Sequence, residues 1–200
     1  MSDDRMAKPG LATLQKVVVW DLMLRIFHWT LALAVVGLIL TGTQGGEALE
    51  RHAQFGYTVL GLLAFRLIWG LWGPQNARFR NFIRGPRAVL AYLRLDREAK
   101  ERWIGHSPLG GYAVLAMLLL LLAQAGTGLI ADDEIAFSGP FAASVPGSWS
   151  ALATWYHKTV GKPAILGMIG LHLCAVFYYV IVLRIPLIGA MLGGDREIKS

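Results

Sequence analysis

Four long apolar runs, at 17–41, 55–72, 109–130 and 164–185, alternate with shorter polar segments along this chain. Each approaches the roughly 20 residues a helix needs to cross the hydrocarbon of a bilayer. With their polar entrances included, the spans are expected at about 17–41, 52–72, 109–130 and 155–185. The first run is longer than the apolar region of a secretory signal and carries Arg25 and His28, so it reads as a retained span. The expected fold is all-α, an integral membrane four-helix bundle over 17–190. Residues 1–16 and 191–200 are expected to be cytoplasmic tails.

The polar segments set the orientation. The loop 73–105 carries eight basic residues between Arg78 and Arg102. The loop 42–51 holds Glu47, Glu50 and only Arg51, and 131–156 holds Asp132, Asp133 and Glu134 with no basic residue. Basic loops stay on the cytoplasmic side, so the long loop and both termini are expected inside. Within it, 86–103 reads as one helix starting at a proline and lying on the membrane face. The segment 138–150, rich in Gly, Pro and Ser, reads as a periplasmic loop and a possible docking surface. No internal repeat is evident.

Composition agrees with a membrane protein. Apolar residues make up 55% and charged residues 16%, against about 25% charged in soluble domains. The mean hydropathy is +0.49. The net charge of +6 comes from residues beside the spans, where they set topology, so no nucleic-acid partner is expected. The seven tryptophans lie mostly near span ends, as an interfacial belt would. The single cysteine, Cys174, excludes an internal disulfide and a cysteine-held cluster and reads as a packing residue. There is no C-x-x-C-H motif, so any haem would be b-type.

Four of the five histidines fall at two depths of the expected bundle. His52 and His157 stand at the periplasmic tops of the second and fourth spans. His28 lies about 20 Å below the end of the first span, and His172 about 22 Å below His157. Ionisable side chains inside a span are costly and point to function. Two pairs follow, His52 with His157 and His28 with His172. Each suits bis-histidine ligation of a haem iron, with the two irons roughly 20 Å apart by helix rise. The haems would lie between helices 1, 2 and 4, and helix 3, lacking histidine, would be a packing wall. Gly56 and Gly161 each follow a histidine by one turn, and would let a flat macrocycle approach. Arg66 is level with the deeper pair and Arg25 is one turn from His28, so both are candidate propionate partners, or snorkel to headgroups. His106, in Gly105-His106-Ser107-Pro108, has no partner at its depth. It reads as a loop or interfacial residue, with a quinone or propionate contact as the alternative.

Several of these residues stand in a known pattern. Trp20-Asp21-x-x-x-Arg25-x-Phe27-His28-Trp29 resembles the opening of prokaryotic cytochrome b561 proteins, a family related to the b-type subunit of nickel–iron hydrogenases. Phe65-Arg66-Leu67-x-Trp69-Gly70 with Gly73-Pro74 is similar to the end of its second helix, and Gly105-His106-Ser107-Pro108-Leu109-Gly110 to the entrance of its third. With His157 and His172, the resemblance covers roughly 17–190. It implies a four-helix di-haem b cytochrome of the bacterial inner membrane, with His28 and His172 on one haem and His52 and His157 on the other. It implies electron transfer between membrane quinones and a periplasmic partner.

The expected function is transmembrane electron transfer, with a c-type cytochrome as a partner that the acidic 132–134 patch could steer. An electron-transfer protein is favoured over a self-contained enzyme. Rivals are a superoxide:quinone oxidoreductase, using Lys158 and Lys162 as an anion guide, a hydrogenase anchor subunit, and a haem-free membrane module. Hydrogenase b-subunits usually carry a further span or extension, which lowers that reading.

Overall fold

The structure, a computed structural model, describes residues 14–96, 99–100, 103–135 and 137–199. Strand β1 (Leu14–Val18) precedes α1 (Leu22–Thr41) and α2 (Glu47–Trp72), which form a first helical hairpin. Short helices α3 (Phe79–Phe82) and α4 (Pro86–Leu93) follow. A second hairpin is made by α5 (Pro108–Ile130) and α6 (Gly147–Val182), and α7 (Leu187–Gly193) leads into β2 (Asp195–Lys199). Helices α1, α2, α5 and α6 are each long and apolar enough to cross a membrane. Their outward faces expose large apolar side chains such as Leu33, Leu67, Leu119 and Leu171. So broad an apolar surface suits lipid rather than water. The middle of the bundle closes on Ala34, Val59, Leu63, Leu121 and Ile165.

Both described ends of the chain meet at one end of the bundle, here the proximal end. β1 and β2 pair antiparallel, with Leu14 opposite Lys199 and Val18 opposite Asp195. The bundle is all-helical as expected, with this one ribbon added; residues 14–16 and 195–199 of the expected tails pair in it, and residues 1–13 lie outside the described residues. Gly194 makes the join: its φ of +90° favours glycine, and its carbonyl accepts from the Val19 and Trp20 N–H groups. The strand also shortens the first span. α1 begins at Leu22 because Asp21 caps it, accepting from the Leu24 N–H at 3.0 Å, a contact worth about 1 kcal/mol.

Three other boundaries differ from expectation. The surface helix expected over 86–103 stops at Leu93. Asp96 then accepts from the Ala99 N–H at 2.8 Å, as an N-cap does, and so competes with continuation; Arg97 and Arg102 lie outside the described residues. The loop expected over 138–150 gives way to helix at Gly147, after Pro146. Within α6 the turn Tyr156–Gly161 is π-helical. It ends two residues before Pro163, which has no N–H to give the preceding turn.

Candidate functional site

The first hairpin carries one histidine at each of its two depths, and α6 carries the other two. At the distal end, His52 of α2 faces His157 of α6, with ring centroids 6.2 Å apart and planes at 75°. At the proximal end, His28 of α1 faces His172 of α6, with centroids 6.4 Å apart and planes at 51°. A first-row metal ion sits about 2.0–2.1 Å from an imidazole nitrogen. One ion between two imidazoles therefore sets their centres roughly 6.3 Å apart. Both ring pairs stand at that spacing. Among the described residues, no group of three or more His, Cys, Asp or Glu side chains gathers. Two axial ligands alone suit a macrocycle that brings its own equatorial nitrogens.

The distal pair is held by hydrogen bonds. His52 Nδ1 lies 3.1 Å from the Leu38 carbonyl oxygen, and His157 Nδ1 lies 2.9 Å from that of Gln124. A carbonyl only accepts, so each Nδ1 carries the proton and each Nε2 lone pair is free for a metal. The Gln124 side-chain amide also donates to the His157 carbonyl at 3.0 Å. That carbonyl lies in the π-helical turn and also accepts from the Lys162 N–H. The third spanning helix is therefore more than a packing wall: α5 orients His157.

A cavity of about 410 Å³ opens between these two rings. Its depth is apolar, with Val35, Val59, Leu121 and Ile165, while Asp133, Lys158 and Lys162 line it too. Lys158 Nζ lies 3.7 Å from Asp133. An apolar slot with charged groups suits a haem, whose ring is apolar and whose propionates are not. Gly56 lines the cavity, and a Cβ there would meet no protein atom within 4 Å. Gly161 faces elsewhere: a Cβ there would strike Gln124 Oε1 of α5, so its small size serves the helix contact.

The proximal pair stands in different surroundings. His28 Nδ1 is buried without a hydrogen-bond partner. Arg66 is 2% exposed, and neither Nη1 nor Nη2 finds a partner. Its guanidinium lies over Phe79, 4.7 Å from the ring centre, and 5.7 Å from that of Phe82. Asp21 is the nearest anionic influence on it, but no anion is hydrogen-bonded to Nη1 or Nη2; a haem carboxylate would answer that cost. Arg25 is engaged differently: Nη1 donates to the Leu192 carbonyl, locking α1 to the C-terminal segment. Trp69 donates its indole N–H to Asp21 at 3.1 Å, which joins the opening motif to the end of α2.

His106 lies in the loop before α5, as expected, and packs among aromatic rings. Its ring packs 4.4 Å from Trp20 and 4.6 Å from Phe82, centre to centre. Burial first, then the charges of Arg66 and His28, push its pKa down to about 3. It is a neutral imidazole within the proximal cluster.

The family profile of prokaryotic cytochrome b561 matches residues 19–194, nearly the whole chain. This chain belongs to the prokaryotic cytochrome b561 family. It is a multi-pass membrane b-type cytochrome, a haem protein of electron transport. Its relatives include probable Ni/Fe-hydrogenase B-type cytochrome subunits. That of Azotobacter chroococcum mcd 1 is 30% identical, covering 92% of this chain and 90% of the relative. Those of Azotobacter vinelandii and Bradyrhizobium diazoefficiens are 29% and 26% identical, again over 92% of this chain. Nine-tenths coverage on both sides removes the length argument against a hydrogenase-type role. No solved structure matches the chain.

Sequence reasoning missed Leu38, Thr41, Gln124, Thr127 and the glycines that seat the distal rings. A signal existed. Thr-Gly occurs near the distal end of two spans, at 41–42 and 127–128, and nowhere else in the chain.

Proposed function

We propose that this cytochrome carries electrons across the bacterial inner membrane, on one haem held by His52 and His157 and a second held by His28 and His172. The observation that carries this reading is the pair of ring separations, 6.2 and 6.4 Å, at opposite ends of the bundle. When bound, the haems supply one-electron carriers, and bis-histidine ligation leaves no open iron position for oxygen chemistry. His52 and His157 present Nε2 because Leu38 and Gln124 hold their Nδ1 protons. Arg66 would hold a propionate through Nη1 and Nη2, which have no hydrogen-bond partner. The distal end faces the periplasm and both termini face the cytoplasm, as the basic 73–105 segment supports.

The partner reading shifts from a soluble c-type cytochrome to a hydrogenase-type oxidoreductase, because the relatives are named as subunits of one. The quinone end is assigned to the proximal cavity of about 580 Å³, lined by Asn76, Arg80, Arg84 and His106 among others. Superoxide handling is disfavoured, since Lys158, one half of its anion guide, is paired with Asp133.

Proteoliposomes test this directly. A membrane-impermeant reductant is added outside, and ferricyanide is trapped inside. Vesicles with the haem-loaded protein should bleach the trapped acceptor, and His52→Ala or His172→Ala vesicles should not. Equal rates in all three would contradict the proposal.

A further inference from the structure

Two of the four spanning helices carry the same dipeptide near the distal end. α1 closes at Thr41-Gly42, and α5 holds Thr127-Gly128 less than a turn before Ile130. Each dipeptide receives a histidine from the neighbouring helix of its own hairpin. Thr41 Oγ1 lies 3.3 Å from His52 Nδ1, and Thr127 Oγ1 lies 3.3 Å from His157 Nδ1. Each hydroxyl spends its own proton on a carbonyl of its helix: Gly37 at 2.6 Å, and Ala123 at 2.8 Å. Its lone pairs therefore face the imidazole N–H as a second acceptor. The first acceptor is in both cases the carbonyl three residues before the threonine, Leu38 or Gln124. The glycine after it is needed for space. A Cβ on Gly42 would stand 3.0 Å from His52 Cε1, and one on Gly128 would stand 3.2 Å from His157 Cε1.

We propose that these two segments are one positioning device used twice, a clasp that fixes the orientation and basicity of His52 and His157 and makes the distal haem the lower-potential one. This rests on the di-haem reading above. An acceptor on Nδ1–H makes the imidazole a stronger donor to iron, which favours the ferric state. The proximal pair lacks the device. His28 Nδ1 has no partner, and the unpartnered Arg66 guanidinium lies at that same end. A positive charge near a haem favours the reduced state. Lys162 lines the distal cavity too, and Lys158 there is paired with Asp133, so the hydrogen bonds on Nδ1 set the direction of the difference, which favours inward flow of electrons.

The test uses the purified, haem-loaded protein, with redox titration and low-temperature electron paramagnetic resonance. Each couple is assigned by its loss in His52→Ala. The lower-potential couple should be the one that disappears. Combining Thr41→Val and Thr127→Val should keep both haems. It should shift the distal couple's reduction equilibrium about threefold toward ferrous, roughly 28 mV at 59 mV per decade. The largest g-value of that haem should move, while the other haem stays unchanged. Gly128→Ala should act in the same direction, and if it does not fold, the near-isosteric valine variants still decide. Unmoved potentials and g-values in a two-haem valine variant overturn the clasp alone. So does loss of the higher-potential couple in His52→Ala. A wild-type protein without two haems overturns the underlying reading and the clasp with it.

Discussion

At the scale of single residues, the histidines divide into four proposed ligands and one neutral neighbour. His172→Ala should remove the proximal haem and leave the distal one partly in place, read by haem quantitation; loss of neither haem would break the pairing. His106→Ala should keep both haems, and a lost Soret contribution would mark it as a ligand. His106 also makes a pH prediction. Its pKa lies at about 3, below the unfolded value because of burial, then Arg66 and His28. The unfolded chain takes that proton near pH 6.5, so between about 6.5 and 3 it binds more protons than the folded one. The stability from keeping His106 neutral is full above pH 6.5 and falls as pH drops through that window. His106→Gln should lose less melting temperature than the wild type between pH 6.5 and 4. An identical pH slope would contradict this. The four ligand candidates were legible because each falls in or at the entrance of an apolar run, two at each depth. The setting of His106 was not, because Trp20, Phe82 and Arg66 reach it from three separate segments.

At the scale of elements, the spans were legible because length and apolarity alone decide them. α2 and α5 end within a few residues of the expected positions. The β1–β2 clasp was illegible for the opposite reason. Two five-residue strands from the ends of the chain gain their hydrogen bonds only from each other. The Lys16–Asp195 ion pair, at 2.5 Å on the surface, adds little. Gly194 is the weak point of that join. Its positive φ and the Trp20 carbonyl, 3.0 Å from where a Cβ would stand, both oppose any side chain. Gly194→Ala should cost about 1–2 kcal/mol, read as a lower melting temperature in detergent. An unchanged melting temperature would show that the terminal strands contribute nothing to stability. The π-helical turn around His157 was likewise not legible. Its shape depends on Gln124, from a helix that carries no ligand of its own.

At the scale of the whole molecule, two hairpins of like construction bring one histidine pair to each end of a bundle long enough to cross a bilayer. The orientation proposed above rests on the basic 73–105 segment. A cysteine placed at Glu134 should react with an impermeant maleimide added to intact cells, while one placed at Arg84 should react only after lysis. The reverse pattern would invert the molecule. The central claim is that four histidines hold two low-spin b-type haems in one chain. It is tested most directly by a reduced-minus-oxidised spectrum of the purified protein with pyridine-haemochrome quantitation. Two b-type haems per chain are predicted. One haem per chain, or none in folded protein from haem-replete cells, would contradict it.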